Sequence, residues 1–256
     1  MAESPDRDGH RLVSRLLADG LVVAVVVVWW LLSTRLPEFV LPGPGAVLER
    51  LVDLFTEPEL VSQTALSAAR VVGSVVVAVL AGSLLALLAR FVPLLTLVVE
   101  RRLQPFLNSF PSVGWAILAV IWFDISNFSV MLVQVMILIP FCLINVLQGL
   151  RELDPELMEM ARSFTRSRRK TVVRIMLPML MPYVMAATRI AYGVGWKIAL
   201  VSELFGADSG LGYLMLQAQI NADAPMVFAT CLAIVVLFYV GERVVLDPIA
   251  RLVRYE

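Results

Sequence analysis

Residues 71–89 read VVGSVVVAVLAGSLLALLA, nineteen consecutive residues without a charge. A helix needs about 20 apolar residues to cross the hydrocarbon core of a bilayer, so this stretch alone predicts a membrane span. The composition of the whole chain agrees, because 59% of its 256 residues are hydrophobic and only 16% are charged. A soluble domain usually carries about 25% charged residues. The sequence is therefore that of an integral membrane protein.

Five further apolar blocks predict an all-α, polytopic fold with about six transmembrane helices. Uninterrupted apolar blocks favour helices over a barrel, because barrel strands alternate apolar and polar residues. The six predicted spans cover residues 18–33, 71–89, 103–123, 125–150, 176–202 and 224–241. Pro105 and Pro111 interrupt the third span, so we expect its helix to begin near Ser112. Residues 1–256 are interpreted as a single transmembrane domain.

Basic residues predict the orientation of these spans. Sixteen Lys and Arg residues lie in the 1–17 tail, in 90–102, in 151–174 and at the C-terminal end, whereas two lie in the alternate loops. Loops rich in Lys and Arg stay on the cytoplasmic side of a membrane. We therefore expect both termini and the 151–175 loop to be cytoplasmic. On the outer side we expect a short amphipathic helix within 41–62 and a tight turn at 208–212.

The composition argues against catalysis and metal binding by this chain. The single histidine, His10, lies in the polar tail, and neither lysine follows a Gly-rich loop, so there is no P-loop. Cys142 and Cys231 lie inside apolar blocks and are interpreted as small core residues. We expect no catalytic residue, no metal site, no cofactor bound by this chain and no nucleic-acid partner.

The predicted cytoplasmic loop contains a short amphipathic helix. Residues 151–178 read RELDPELMEMARSFTRSRRKTVVRIMLP, in which Asp154 and Pro155 suit the first turn of a helix. One apolar face is formed, at three- and four-residue spacing, by Met158, Ala161, Phe164 and Thr165. From the residues alone, this helix either inserts into a groove of another protein or lies on anionic membrane lipid.

The same segment resembles the coupling loop of ABC importer permeases, whose signature reads E-A-A, three residues, G, nine residues, I-x-L-P. Here Glu159-Met160-Ala161 is followed by three residues, Thr165, nine residues and Ile175-Met176-Leu177-Pro178. The spacing matches throughout, while Met160 and Thr165 depart from the alanine and the glycine of the signature.

The resemblance extends over nearly the whole chain and is to permeases of the nitrate/sulfonate/taurine type. LPGPGAVLERL at 41–51 is similar to their segment before the second span, and Arg70 and Gly73 fall on their second-helix pattern. Residues 104–124 resemble their third helix, with Ile117 in place of a proline and Asp124 in place of a glycine. Their fifth-helix pattern is matched by Arg189, Trp196, Glu203 and the run Gly210-Leu211-Gly212-Tyr213.

The resemblance implies a type I ABC importer permease fold with a cytoplasmic coupling helix, in a bacterial plasma membrane. It implies a second permease subunit, of the same or a different chain, and a solute-binding protein outside the cell. It also implies ABC ATPase subunits that hold ATP and Mg. Glu159 would anchor the contact with the ATPase and Ala161 would pack closely against it. Phe164 would be its buried aromatic residue, an inference from interface energetics. The contact is completed by Met160, Ser163 and Thr165.

Charges in membrane spans are costly and suggest a translocation path. The candidates are Arg70, Arg189 and Lys197, together with Trp196 of the fifth-helix pattern. A positive lining would favour an anionic solute such as nitrate, a sulfonate or a carboxylate. The structural alternatives are that Arg189 binds helix-end carbonyl groups and that Lys197 pairs with Glu203 or Asp124. A different class of protein, a gradient-driven secondary transporter or channel, is disfavoured because the spans show no internal repeat.

Stripes of small residues mark close helix packing, and they leave two partners open. One stripe contains Ala78, Gly82 and Ala86, and the other contains Ala187, Ala191, Gly195 and Ala199. These residues either pack against helices of the same chain or, on the fifth span, form a contact with the second permease.

Overall fold

A computed structural model describes residues 6–153, 160 and 167–254 of the chain. Within these ranges the regular structure is helical. The main helices are α1 (Asp6–Ser33), α2 (Pro44–Thr56), α3 (Pro58–Phe91), α4 (Ser112–Phe123), α5 (Asn127–Glu152), α6 (Leu177–Gly206), α7 (Leu211–Ile220), α8 (Ala224–Gly241) and α9 (Asp247–Arg254). Shorter helices cover Pro93–Val98, Gln104–Ser109 and Arg168–Thr171.

Four helical stretches are long and apolar enough to cross a membrane: Pro58–Phe91, Asn127–Glu152, Val172–Gly206 and Ala224–Arg251. The third predicted span is instead a bent pair, Leu94–Ser109 and Ser112–Phe123, whose axes meet at 88°. The apolar part of the first predicted span, Asp19–Ser33, is helical but shorter than a full span. The all-α, polytopic prediction is confirmed, with four continuous spans, or five if the bent pair is one span, in the described part of the chain.

The bend in the third span has a local cause. Phe110 has φ −76° and ψ 127°, because the ring of a following proline disfavours helical backbone in the residue before it. Pro111 itself is extended, and α4 begins at Ser112, as predicted. The interruption predicted within 103–123 is thus present at Pro111, and the residues before it, Gln104–Ser109, also form a helix.

The centre of the fold is formed by α3, α5 and α6, and small residues set how closely these helices approach. A Cβ atom built on Gly82 of α3 would lie 2.7 Å from the Cβ of Cys142 on α5. Gly195 of α6 faces Val71 and Val75 of α3. Both stripes are buried: Ala78, Gly82 and Ala86, and Ala187, Ala191, Gly195 and Ala199. They therefore pack within the chain, the first of the two alternatives.

Helix α1 lies at the edge of the fold. The side chains of its apolar part are exposed almost throughout, with Val22 and Val23 exposed to more than half. Its C-terminal end is attached through Trp29, whose ring stacks on Phe228 of α8 with centroids 6.2 Å apart. The Trp29 indole N–H also donates to the Pro42 carbonyl oxygen at 3.0 Å. The short outer helix expected within 41–62 is α2, which buries Val47 and Leu54.

Among the described residues, three wide π-helical turns interrupt the helices, and each has a proline two residues after its end. They are Val99–Leu103 before Pro105, Val172–Met176 before Pro178, and Glu242–Leu246 before Pro248. Proline lacks an N–H, and its ring collides with the carbonyl group four residues earlier. That carbonyl group lies inside the π turn in all three cases, so the wider turn makes room for the ring.

Candidate functional site

The end of the fold at which α6 terminates contains a buried ion pair between α3 and α6. The Nη1 atom of Arg70 lies 3.0 Å from Oε1 of Glu203, and the side chains are only 3% and 1% exposed. The Ser67 hydroxyl lies within hydrogen-bond distance of both carboxylate oxygens, at 2.9 and 2.7 Å. A buried charge is tolerated only when it is paired and hydrogen-bonded, and both conditions are met here.

The remaining N–H groups of Arg70 also have acceptors. Its Nε and Nη2 atoms donate to the side-chain oxygen of Asn127, which is the first residue of α5, at 2.8 and 2.5 Å. Ser209 accepts two more bonds, through its carbonyl oxygen and its hydroxyl, each at 2.8 Å. Guanidinium has five N–H donors, and these four contacts together with the Glu203 bond account for all of them. Arg70 therefore has no donor left for a solute.

The Glu203 carboxylate also organises the turn that follows α6. It accepts the backbone N–H of Gly212 at 3.0 Å, in the first turn of α7, where a negative charge is favoured. Gly210 has φ 99°, a conformation that a residue with a side chain rarely adopts. A Cβ atom built on Gly210 would also lie 2.6 Å from the Glu203 carboxylate. The predicted tight turn is present, and three side chains accept its backbone N–H groups: Gln63 that of Gly210, Ser67 that of Leu211 and Glu203 that of Gly212.

Arg189 lies towards the opposite end of α6 and pairs with α9. Its Nη2 atom is 2.7 Å from Oδ1 of Asp247, and the two side chains are 43% and 30% exposed. The structural alternative for Arg189 was a bond to helix-end carbonyl groups, and the observed partner is a carboxylate instead. The sequence analysis did not identify Asp247, because it lies 58 residues away in the chain.

Trp196 is a core residue of the described fold. Its side chain is 3% exposed and meets the ring of Tyr192 edge to face, with centroids 6.1 Å apart. The Tyr192 hydroxyl donates to the Leu237 carbonyl oxygen at 3.0 Å, which ties α6 to α8. The indole ring therefore packs inside the chain.

Lys197 lies on the outside of α6. Its side chain is exposed, and it has no hydrogen bond or ion pair within the described ranges. The expected pairing with Glu203 is absent because Arg70 occupies that carboxylate. The pairing with Asp124 is also absent, and Asp124 accepts the backbone N–H of Ile125 at 2.7 Å instead. Lys197 thus carries a charge on the exposed face of the least apolar of the four long spans.

Comparison with known sequences identifies the family. Residues 99–246 match the profile of the family described as binding-protein-dependent transport system inner membrane component. This match covers more than half of the chain. The chain belongs to this family. The resemblance to ABC importer permeases is thereby confirmed, and the alternative of a gradient-driven transporter or channel loses its support.

Individual permeases show the same relationship over most of their length. A probable ABC transporter permease protein of Brucella abortus (strain 2308) is 28% identical over 236 residues, covering 92% of this chain and 94% of the relative. The taurine transport system permease protein TauC of Escherichia coli (strain K12) is 27% identical, covering 88% and 84%. The putative aliphatic sulfonates transport permease protein SsuC of the same strain is 30% identical, covering 78% and 76%.

One departure of this permease from the family pattern has a structural consequence. Asp124 stands where the pattern has glycine, and its backbone has φ 62° and ψ −178°. This region of backbone space is essentially reserved for glycine and costs another residue of order 1–3 kcal/mol. Its carbonyl oxygen accepts the Ser129 hydroxyl at 2.6 Å, which links the end of α4 to the first turn of α5. The permease therefore retains the glycine-type conformation without the glycine.

Most residues of the predicted coupling contact lie outside the described residues. These are Glu159, Ala161, Ser163, Phe164 and Thr165. Met160 is described, and it is helical and exposed. Near this loop, the Tyr183 hydroxyl of α6 donates to the carboxylate of Glu152, the last residue of α5. Arg151 pairs with Glu100 at 2.7 Å. These contacts hold the end of α5, where the loop begins, against α6 and against the turn Val99–Leu103.

Proposed function

We propose that this chain is the membrane-spanning permease subunit of an ATP-driven importer for small sulfonates or related oxyanions. Membership of the binding-protein-dependent permease family is the observation that carries this proposal. Two relatives are named for the transport of taurine and of aliphatic sulfonates, both of which carry a sulfonate group. The two exposed cations of α6, Arg189 and Lys197, suit such a negatively charged solute.

The permease works with partners that supply energy and substrate. Two ABC ATPase subunits bind ATP and Mg, and this chain itself binds no cofactor and is not catalytic. A second permease, identical or different, completes the path, and a solute-binding protein delivers the substrate from outside. The coupling contact of Glu159, Met160, Ala161, Ser163, Phe164 and Thr165 transmits closure of the ATPase to the spans as rigid-body motion. No partner among these is a nucleic acid.

The permease lies in a bacterial inner membrane with both termini in the cytoplasm. The uneven distribution of Lys and Arg supports this orientation. The Arg70–Glu203 network then lies at the extracytoplasmic end, while the π turns and the Arg189–Asp247 pair lie towards the cytoplasmic end.

The four candidate residues of the translocation path fall into two groups, one buried and one exposed. Arg70 and Trp196 are buried and committed to contacts within the chain, so we assign them the role of positioning α6 against α3 and α8. Lys197 is the cation that the solute meets, because an exposed lysine without a partner is costly against lipid and stable against a water-filled path. Arg189 lies further along the same helix, on the cytoplasmic side.

Reconstitution of the assembled complex tests this function. The permease is purified with its ATPase, placed in proteoliposomes with ATP inside, and supplied with the binding protein and radiolabelled taurine, an alkanesulfonate, nitrate or a neutral amide of similar size. We expect ATP hydrolysis and uptake to rise with a sulfonate and not with the neutral amide. Solute flux through the permease alone would contradict the proposal, as would stimulation by the neutral solute only.

A further inference from the structure

A groove opens between α6 and α9 around the Arg189–Asp247 pair, with a volume of about 690 Å³. Pro182, Met185 and Ala186 of α6 form its apolar floor. Its polar groups are the side chains of Arg189, Asp247 and Arg251. We refer to it as the α6–α9 groove.

Positive charge exceeds negative charge in this groove. Two guanidinium groups face it, and Asp247 supplies one carboxylate. Arg189 donates to Asp247 through Nη2, and its Nε and Nη1 atoms have no acceptor in the described part of the chain. Arg251 is exposed and forms no ion pair there. Donors of two arginines are therefore available to a further anion.

Both the lining and the position of the α6–α9 groove favour an oxyanion as its ligand. Arginine binds phosphate and sulfonate oxygens through parallel charge-assisted hydrogen bonds. The groove lies between two membrane helices on the side that the charge asymmetry predicts to be cytoplasmic, and basic pockets in this position bind lipid head groups. The apolar floor suits the first carbons of an acyl chain or the short alkyl group of an organic sulfonate.

We propose that the α6–α9 groove binds one oxyanion through Arg189 and Arg251, with Asp247 as a competing internal anion. The oxyanion is the phosphate of an anionic phospholipid or a phosphate or sulfonate in solution, and the two sources share this chemistry. The lipid source is independent of the proposed transport function, whereas a dissolved sulfonate rests on it.

Lipid titration of the purified complex tests the site. Native mass spectrometry measures the binding of phosphatidylglycerol and phosphatidylcholine to the wild type and to R251Q, D247N and R243Q. We expect R251Q to weaken phosphatidylglycerol binding about tenfold, as the loss of one charge-assisted bond predicts. D247N should strengthen binding, because it frees the remaining donor of Arg189, and an unfolded variant could not produce that gain. R243Q is the matched control, since Arg243 is exposed on the same segment and does not line the groove.

A second arm separates the two sources. Inorganic phosphate and taurine are titrated by calorimetry into the same complex in nanodiscs of phosphatidylcholine only. Binding of phosphatidylglycerol without binding of the free anions assigns the groove to lipid. If a free anion binds, and its affinities for the wild type and the three variants follow the same order as those of the lipid, the groove is assigned to an oxyanion in solution. Equal losses in R251Q and R243Q would overturn the proposal, because general attraction to a negative surface would then explain the binding, and so would an absence of both kinds of binding.

Discussion

At the scale of single residues, the feature with the largest expected effect on stability is the buried ion pair between Arg70 and Glu203. Arg70 uses five N–H donors, and the carboxylate of Glu203 on α6 accepts bonds from two other elements, α3 and the start of α7. Removing one partner of a buried ion pair costs about 3–5 kcal/mol, because the other charge stays buried without compensation. Replacing both partners by apolar residues costs much less for the same reason.

We therefore expect R70M and E203M each to lower the thermal stability of the purified permease strongly, by about 3–5 kcal/mol in the free energy of unfolding. The double variant should be closer to the wild type than either single variant. Thermal unfolding in detergent micelles measures all three proteins. R50M is the matched control, because the Arg50–Asp223 pair at 3.3 Å is exposed and such pairs contribute about 1 kcal/mol or less. Additive losses in the double variant would show that the two residues do not act as a pair.

Asp124 allows a second test at the residue scale. Its φ of 62° is strained for any residue except glycine, while its carboxylate gains one bond to the Ile125 N–H. We expect D124G to be more stable than D124A by about 1 kcal/mol or more, because both lose the bond and only glycine relieves the strain. Ala81, inside α3, is the control position. There the glycine variant A81G should be less stable than the wild type, since glycine weakens an ordinary helix by about 1 kcal/mol relative to alanine. If D124G is the less stable variant, the backbone at this position is not strained.

At the scale of elements, proline explains both the break before α4 and the three π turns. Pro111 follows a residue with extended backbone, so the helix stops. Pro105, Pro178 and Pro248 follow π turns, so the helix continues with one extra residue in the turn. A π turn that reverts to α-helix rotates everything beyond it by about 100°, the rotation of one residue. Each π turn thus determines the rotation, about the helix axis, of the chain segment that adjoins the span.

The turn at Val172–Met176 lies between α6 and the predicted coupling loop, and Pro178 is the proline that follows it. In P178A an N–H becomes available to the Arg174 carbonyl oxygen, so the turn should narrow and rotate the loop. We expect uptake per ATP hydrolysed to fall about tenfold or more while ATP hydrolysis continues, since misplacing a coupling element costs this order of rate. The ratio is measured in proteoliposomes, with P58A as the control because Pro58 begins α3 without a π turn. An unchanged ratio in P178A would mean that the π turn does not orient the loop.

At the scale of the whole molecule, the two ends of the bundle differ. The end that contains Arg70 and Glu203 is tied by a buried network that joins α3, α5, α6 and α7. The opposite end is tied by ion pairs that are partly exposed, Arg151–Glu100 and Arg189–Asp247, and it contains the π turns. Exposed ion pairs contribute little to the free energy of unfolding, so they can break and re-form at low cost. Under the proposed function, motion transmitted from the ATPase is absorbed at this opposite end, while the end that contains Arg70 and Glu203 moves as a unit.

The role of Lys197 depends on the whole assembly, because it is set by whether lipid or a water-filled path lies against the exposed face of α6. We expect K197Q to lower sulfonate uptake about tenfold and K197R to retain most of it, since loss of one charge-assisted contact is worth about 1.5–3 kcal/mol. Basal ATP hydrolysis should stay unchanged in both. R35Q, which removes a charge from an exposed outer loop, is the control. If K197Q transports as well as the wild type, the solute does not pass this face of α6.

How far the sequence predicted the site depended on the range of each interaction. The turn at 208–212 and the start of α4 at Ser112 were predictable, because glycine and proline act on their own backbone. Arg70 and Glu203 were both identified as candidate residues, but their pairing was not predicted, since they lie 133 residues apart in the chain. One signal for Glu203 was available: it is an acidic residue at the end of an otherwise apolar block, where a charge needs a partner.

The sequence alone determined that the chain crosses a membrane as helices, where proline interrupts them, and which family of permeases it belongs to. Hydropathy and backbone restriction are properties of short segments, so they can be read from the order of residues. Only the tertiary structure decided that Glu203 binds Arg70, that Arg189 binds Asp247, and that Lys197 has neither acid beside it. Pairing among charges depends on which helix ends meet, and that arrangement follows from the close packing of α3, α5 and α6.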